Sequence, residues 1–214
     1  MELLHPKLDQ NEKLIGFCNL PQSQVKIDVG NSKPINKRQY RIAFHLQQVV
    51  DDQIKEWMET AIVEFAPKPT SWINPIMVVP KLDSGGSKKG WRICIDPRPL
   101  NLLIPEISFP LPLIRDIFEA MKGCSIFTRI DLKGGFNQFT IIPECREYTT
   151  FTWKGKQYQF QGAPFGFKNL PAMFQKAVSD LFADLPFVLV YIDDIIIFSR
   201  SFEEHARHIL QISR

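Results

Sequence analysis

Phe187-Val188-Leu189-Val190-Tyr191-Ile192-Asp193-Asp194-Ile195-Ile196-Ile197-Phe198 sets two adjacent carboxylates between two apolar runs. Both runs are of strand length and rich in β-branched or aromatic residues, so the stretch reads as a β-hairpin with the carboxylates at its turn. Asp is common in turns, and a solvated tip explains the pair as readily as a functional site does. The stretch alone leaves these two readings level. The rest of the chain separates them.

The chain has 214 residues, 44% hydrophobic and 23% charged, enough for a substantial core or for two lobes. A net charge of +3 permits a nucleic-acid partner without requiring one. No apolar run approaches a membrane span, and Met1-Glu2-Leu3-Leu4-His5-Pro6 does not read as a signal peptide. The expectation is an intracellular protein with no membrane partner. Cys18, Cys94, Cys124 and Cys145 are scattered and form no C-x-x-C pair, which points to reduced thiols and no structural zinc.

Several further segments bear on the hairpin. Ser125-Ile126-Phe127-Thr128-Arg129-Ile130-Asp131 reads as a strand ending on a carboxylate, with Gly134-Gly135-Phe136 close behind. Glycines after a strand let backbone N–H groups approach an anion. Ile76-Met77-Val78-Val79 and Trp91-Arg92-Ile93-Cys94-Ile95-Asp96 flank a basic tip, giving a hairpin that carries Lys81, Lys88, Lys89 and Arg92. Leu46, Val49, Val50, Ile54, Trp57, Met58, Ala61 and Ile62 recur at helical spacing and form a core-facing stripe. Residues 97–112 are proline-rich and read as extended, followed by a short helix from Leu113 to Met121. Thr149–Trp153 and Tyr158–Gln161 form a second hairpin around Lys154-Gly155-Lys156-Gln157, and Pro171 sits in the first turn of a later helix. Ser201 and Glu204 form a capping box for the last helix, whose His205 and His208 read as packing residues. Asp28-Val29-Gly30 lacks the hydroxyl residue of an aspartic-protease loop and reads as an ordered lead-in.

Asp131, Asp193 and Asp194 each stand at a strand end or strand turn. Brought together, each pair would repel by on the order of 4 kcal/mol at 4 Å and an effective dielectric near 20, so a cation must offset them. Hard oxygen donors of this kind suit Mg²⁺.

Taken in order, five blocks resemble the reverse transcriptase domain of gypsy-type LTR retrotransposons and retroviral Pol polyproteins. They are Asn74-Pro75-Ile76 through Lys81; Trp91–Asp96 with Arg98, Leu100 and Asn101; Phe127–Leu132 with Gly135-Phe136; Pro164-Phe165-Gly166 with Pro171-Ala172 and Phe174-Gln175; and Tyr191–Asp194. The resemblance implies an α+β right-hand polymerase, with fingers and palm, an antiparallel palm sheet packed on helices, and the thumb absent. It implies a lead-in over residues 1–45, fingers over 46–105 and 139–169, and palm over 106–138 and 170–214. It implies RNA-directed DNA polymerase activity, adding deoxynucleotides to a primer 3′-hydroxyl by two-metal nucleotidyl transfer. Asp131, Asp193 and Asp194 would hold two Mg²⁺ ions, with Mn²⁺ a substitute. Lys81, Arg92, Gly134, Gly135, Phe136 and Phe165 would bind the dNTP, with Phe136 excluding a ribose 2′-hydroxyl. Gly166, Tyr191 and Ile192 would border template and primer. Implied partners are an RNA or DNA template with its primer, dNTPs, and the remainder of a Pol polyprotein (thumb, RNase H, integrase). The implied location is cytoplasmic, particle-associated, or nuclear. Two alternatives are an inactive truncated relic that only binds nucleic acid, and an RNA-dependent RNA polymerase sharing the palm.

Overall fold

The computed structural model describes residues 16–212, apart from Ser84, Lys133 and the side chain of Lys88. In chain order its first elements are β1 (Gln24–Val25), α1 (Gln47–Glu59), β2 (Val63–Phe65), β3 (Ile76–Leu82), β4 (Lys88–Ile95), α2 (Arg98–Asn101), α3 (Ile114–Ala120) and β5 (Ile126–Asp131). They are followed by β6 (Thr140–Ile141), β7 (Phe151–Trp153), β8 (Lys156–Phe160), α4 (Leu170–Leu181), β9 (Val188–Tyr191), β10 (Asp194–Ser199) and α5 (Phe202–Ile212). Residues 16–106 with 136–170 form one unit, and residues 107–135 with 171–212 form the other.

In the first unit, Val50, Ile54 and Trp57 fall on one face of α1 and are buried. Trp57 meets Phe160 edge-on at 5.3 Å between ring centroids, in a core shared with Phe151. The helix stops before the apolar spacing does. The N–H of Thr60 closes onto Glu56 O, and Ala61 takes φ 58°, so Ile62 lies beyond the last turn. The chain then pairs as β2, a strand too short to show a period in the sequence, in the antiparallel order β2-β8-β7. Lys154 and Gly155 both have positive φ, 46° and 76°, so the β7–β8 turn has two residues, with Lys156 and Gln157 already in β8.

Residues 16–45 of the lead-in belong to this unit. β1 pairs in parallel with β6, and Val25, Ile27 and Val29 alternate inward. Asp28 caps a local turn by accepting from the Gly30 N–H at 2.9 Å, so Asp28-Val29-Gly30 is a turn shortly after β1. Gln39 clamps the start of β3 at both polar atoms: its Oε1 accepts from Ile76 N–H at 2.9 Å, and its Nε2 donates to Ile76 O at 2.8 Å. The proline-rich segment after β4 contains the short helix α2, which the extended reading misses. Pro99 lies in its first turn, where a missing N–H costs nothing.

In the second unit, β5, β10 and β9 form an antiparallel sheet with β10 central. Period-two alternation gives it two unlike faces. On one face Val190, Ile195, Ile197 and Ser199 are buried. Helices α4 and α5 meet this sheet through hydrogen bonds from Gln175 and His205. Its other face carries Phe127, Arg129 and Asp131, all exposed, beside Asp194 and Tyr191.

His205 and His208 pack rather than ligate. His205 contacts Thr128 Oγ1 through Nε2 at 2.7 Å and Ser199 Oγ through Nδ1 at 2.8 Å. His208 reaches the same Ser199 Oγ at 2.8 Å and stacks flat on Phe187 at 3.6 Å. Ser201 accepts from the Glu204 N–H at the start of α5, while the Glu204 carboxylate accepts from Arg200 N–H, one residue earlier than a strict capping box. Burial, and then the nearby His208, push the His205 pKa below its ordinary value. The unfolded chain therefore takes up the His205 proton before the folded chain does as pH falls below about 6.5. Stability is lost on acidification through that region. The urea midpoint should drop between about pH 7.5 and pH 5.5, and His205→Gln, which cannot titrate, should flatten that drop whatever it does to the midpoint at neutral pH.

Candidate active site

The register of the three-stranded sheet puts Asp194 opposite Asp131 on β5 and opposite Tyr191 on β9. Asp193 lies between β9 and β10 in a loop of two residues, Ile192 and Asp193. One strand end and one tight turn thus gather the three carboxylates at one end of the sheet. Burial, then Asp131, then Asp194 raise the Asp193 pKa above the usual carboxylate range. Burial is the larger cause and the neighbouring negative charge the smaller. Among the described residues, no three His, Cys, Asp or Glu side chains are gathered closely enough to hold a metal ion as they stand. The donor set nevertheless fits a hard divalent cation: all three are oxygen donors, and Asp131 and Asp194 add to the cost of ionising Asp193. Arg129, two residues before Asp131, sets its Nε 2.9 Å from Asp194 Oδ1.

The turn itself is strained. Ile192 takes φ 53°, a conformation that costs a β-branched residue about 1–2 kcal/mol and suits glycine in hairpins. Gln175 of α4, 1% exposed, holds it in place. Its Oε1 accepts from Ile192 N–H at 2.6 Å, while its Nε2 donates to Val190 O at 2.9 Å and to Ser179 Oγ at 3.0 Å.

After β5, Gly134 takes φ 62°, as the turn requires, but Gly135 is glycine for a different reason. A Cβ there would lie 2.8 Å from the Phe174 ring, and its N–H donates to Leu132 O at 3.1 Å. Packing explains this glycine without an anion.

The first unit places the remaining residues. Val79 pairs with Arg92 and Lys81 with Gly90, so Lys81 and Arg92 share a face of the β3–β4 hairpin. Both are exposed. The Arg92 guanidinium lies over the Phe165 ring at 5.6 Å, and Phe165 meets Phe136 edge-on at 5.3 Å. Phe165 is partly exposed, whereas Phe136 is buried. Gly166 takes φ 95°, and a Cβ on it would meet Pro97 at 3.1 Å. Asn101 secures this loop by donating to Gly166 O at 2.8 Å and accepting from Lys168 N–H at 3.0 Å.

The profile of the family described as reverse transcriptase (RNA-dependent DNA polymerase) matches residues 79–214. The chain belongs to the reverse transcriptase family. Members of this family use divalent metal ions. The chain is 32% identical over 185 residues to the retrovirus-related Pol polyprotein from transposon 297 of Drosophila melanogaster, covering 86% of this chain and 17% of that one. It is 31% identical over 183 residues to the Pol polyprotein of the gypsy transposon of the same fly, covering 84% and 17%. The match to the Pro-Pol polyprotein of feline foamy virus is 32% over 188 residues, covering 86% and 15%. The chain therefore spans less than a fifth of each of these relatives. Among solved structures, a foamy viral protease-reverse transcriptase in complex with double-stranded DNA superposes with a TM-score of 0.83 at 27% identity, covering 99% of this chain and 37% of that one. A foamy viral protease-reverse transcriptase bound to an RNA/DNA hybrid gives 0.79 at 26%, covering 99% and 28%. The fold is accordingly the α+β fingers-and-palm architecture of these enzymes.

Gln175, Asn101 and Arg129 stand within the blocks of resemblance, but the sequence reading gives none of them a role. Gln175 left a signal, a polar amide inside the apolar stripe of α4. Gln175→Leu leaves the Ile192 N–H and the Val190 carbonyl unpaired, at a cost of about 1–3 kcal/mol. It should lower the denaturation midpoint and speed hydrogen exchange at Ile192. Gln175→Glu, which keeps the acceptor, should retain protection at that amide.

Proposed function

We propose that this chain is the nucleotidyl-transferring part of an RNA-directed DNA polymerase, adding deoxynucleotides to a primer 3′-hydroxyl on an RNA or DNA template. The observation that carries the proposal is the pairing of Asp131 with Asp194, with Asp193 in the adjoining turn, in a chain of the reverse transcriptase family. Asp131, Asp193 and Asp194 would hold two Mg²⁺ ions, for which Mn²⁺ could substitute. When bound, the ions supply Lewis acidity that favours the 3′-alkoxide and stabilises the leaving pyrophosphate. The bond formed joins the primer 3′-oxygen to the α-phosphorus; the bond broken is that between the α-phosphorus and the bridging oxygen of pyrophosphate.

The other residues bind and orient. Lys81 would act as a point charge on the triphosphate and Arg92 as a bidentate fork, and the backbone at Gly134 and Gly135 would assist. Phe165 contacts both Arg92 and Phe136, which limits the freedom of the Arg92 guanidinium. The buried Phe136 ring would crowd the sugar 2′ carbon and exclude a ribose hydroxyl. Gly166 would border the template, and Tyr191 and Ile192 the primer end. Implied partners are a primed template, dNTPs and the remainder of a Pol polyprotein, as the larger relatives suggest.

Primer extension on an oligo(dT)-primed poly(rA) template with dTTP tests the reading. Extension is expected with Mg²⁺ or Mn²⁺, and Asp193→Asn should reduce it by at least about 100-fold. No extension by the wild-type chain with either metal would overturn polymerase activity for this chain alone. Phe136→Ala should raise ribonucleotide incorporation relative to deoxynucleotide. An unchanged ratio would remove Phe136 from its assigned place.

A further inference from the structure

Lys81 and Arg92 have assigned places in the function above, whereas the cation next to the carboxylates, Arg129, has none. Arg129 stands on the open face of the palm-like sheet, two residues before Asp131, and its cross-strand partner is Ile196. Its diagonal neighbour on β10 is Asp194, and diagonal neighbours on one sheet face are within reach of a long side chain. The guanidinium takes that option, with Nε 2.9 Å from Asp194 Oδ1, while its side chain remains 69% exposed. Nothing in the packing requires an arginine there. The hydrophobic alternation on this strand would accept an apolar residue as well, and Phe127, two positions earlier, is one.

Two consequences follow from charge. A guanidinium is cationic at every accessible pH, so Asp194 is never without a counterion, even with no metal bound. The same cation also opposes any other that approaches Asp194, through direct competition for the carboxylate and through repulsion. The pair is exposed, and exposed ion pairs are weak, so a divalent ion can displace the guanidinium or share the carboxylate with it.

Resting on the metal-site reading above, we propose that Arg129 is a positioning residue that competes with divalent metal for Asp194. It restrains the carboxylate against its acidic neighbours when metal is absent, and it raises the free metal concentration at which the three carboxylates fill. The neutralisation also lowers the repulsion that Asp194 imposes on Asp131 and Asp193 before metal arrives.

Mn²⁺ titration of the purified chain, without nucleotide or template and followed by the electron paramagnetic resonance signal of free Mn²⁺, measures this without relying on turnover. Arg129→Gln should bind Mn²⁺ about two- to fivefold more tightly than the wild-type chain, the range an exposed ion pair supports. Arg129→Lys, which keeps the charge, should stay within about a factor of two of wild type. The gap between Arg129→Gln and wild type should narrow as ionic strength rises, since the pair is solvent-screened. Circular dichroism of each variant reports that the fold is retained, and the high exposure of Arg129 makes both substitutions compatible with folding. Asp193→Asn supplies the reference for the site itself. If it weakens Mn²⁺ binding while Arg129→Gln binds no more tightly than wild type, Arg129 is not a competitor, and the metal reading stands. If Asp193→Asn leaves Mn²⁺ binding unchanged, the metal reading fails, and the role of Arg129 falls with it.

Discussion

The register between β5 and β10 is the constraint on which the site depends. Because side chains alternate, a slip of one residue would carry Asp131 to the face that packs on the helices and bring Ile130 out to the acidic end. Burial on the far face prevents the slip. Ile195, Ile197 and Val190 are at most 6% exposed, and each such side chain contributes roughly 1.5–3 kcal/mol on burial. Their sum exceeds the roughly 4 kcal/mol that one close carboxylate pair costs at moderate screening. The apolar face thus determines where the charged face puts its groups, although no apolar residue touches them.

The other unit solves a different problem, holding an arginine and a ring at the surface without burying charge. Arg92 rests on Phe165, and Phe165 rests on the buried Phe136, so the exposed cation is tied to a core residue through two ring contacts. The loop that carries Phe165 is fixed from the other side by Asn101, whose amide bonds both Gly166 and Lys168. Asn101 itself sits on α2, beginning after Asp96. That carboxylate is 1% exposed, held at a pKa of about 2 chiefly by Arg98, and also accepts from Tyr40 of the lead-in. A chain of short polar contacts runs from the lead-in to the loop.

Much of this was legible from pattern. Residues 187–199 alternate and turn as their composition implies, and α1, the β3–β4 hairpin and the Pro171 helix follow from apolar spacing and proline placement. What pattern missed was short or non-local. β2 has three residues and becomes a strand only because β8 offers it a partner. α2 has four residues and two prolines near its start, a composition that locally favours extended chain. The reason for Gly135 was also invisible, because the Phe174 ring that requires it lies some forty residues away in sequence. In the site, acidic and basic residues announced themselves by type, whereas Gln175 and Asn101 act through hydrogen bonds to backbone and carry no charge to mark them.

Gln175 addresses the β9–β10 hairpin through main-chain atoms alone, Ile192 N–H and the Val190 carbonyl. The anchor is therefore indifferent to which side chains those two residues carry. Any residue except proline can stand at position 192 without losing the hydrogen bond, and glycine would stand there with less backbone strain. The loop residue beside the carboxylates can therefore change its side chain while the hairpin anchor, and with it the placement of the acidic residues, stays the same. Gln175 itself enjoys no such latitude, since its oxygen and its nitrogen serve two different main-chain groups, at positions 192 and 190.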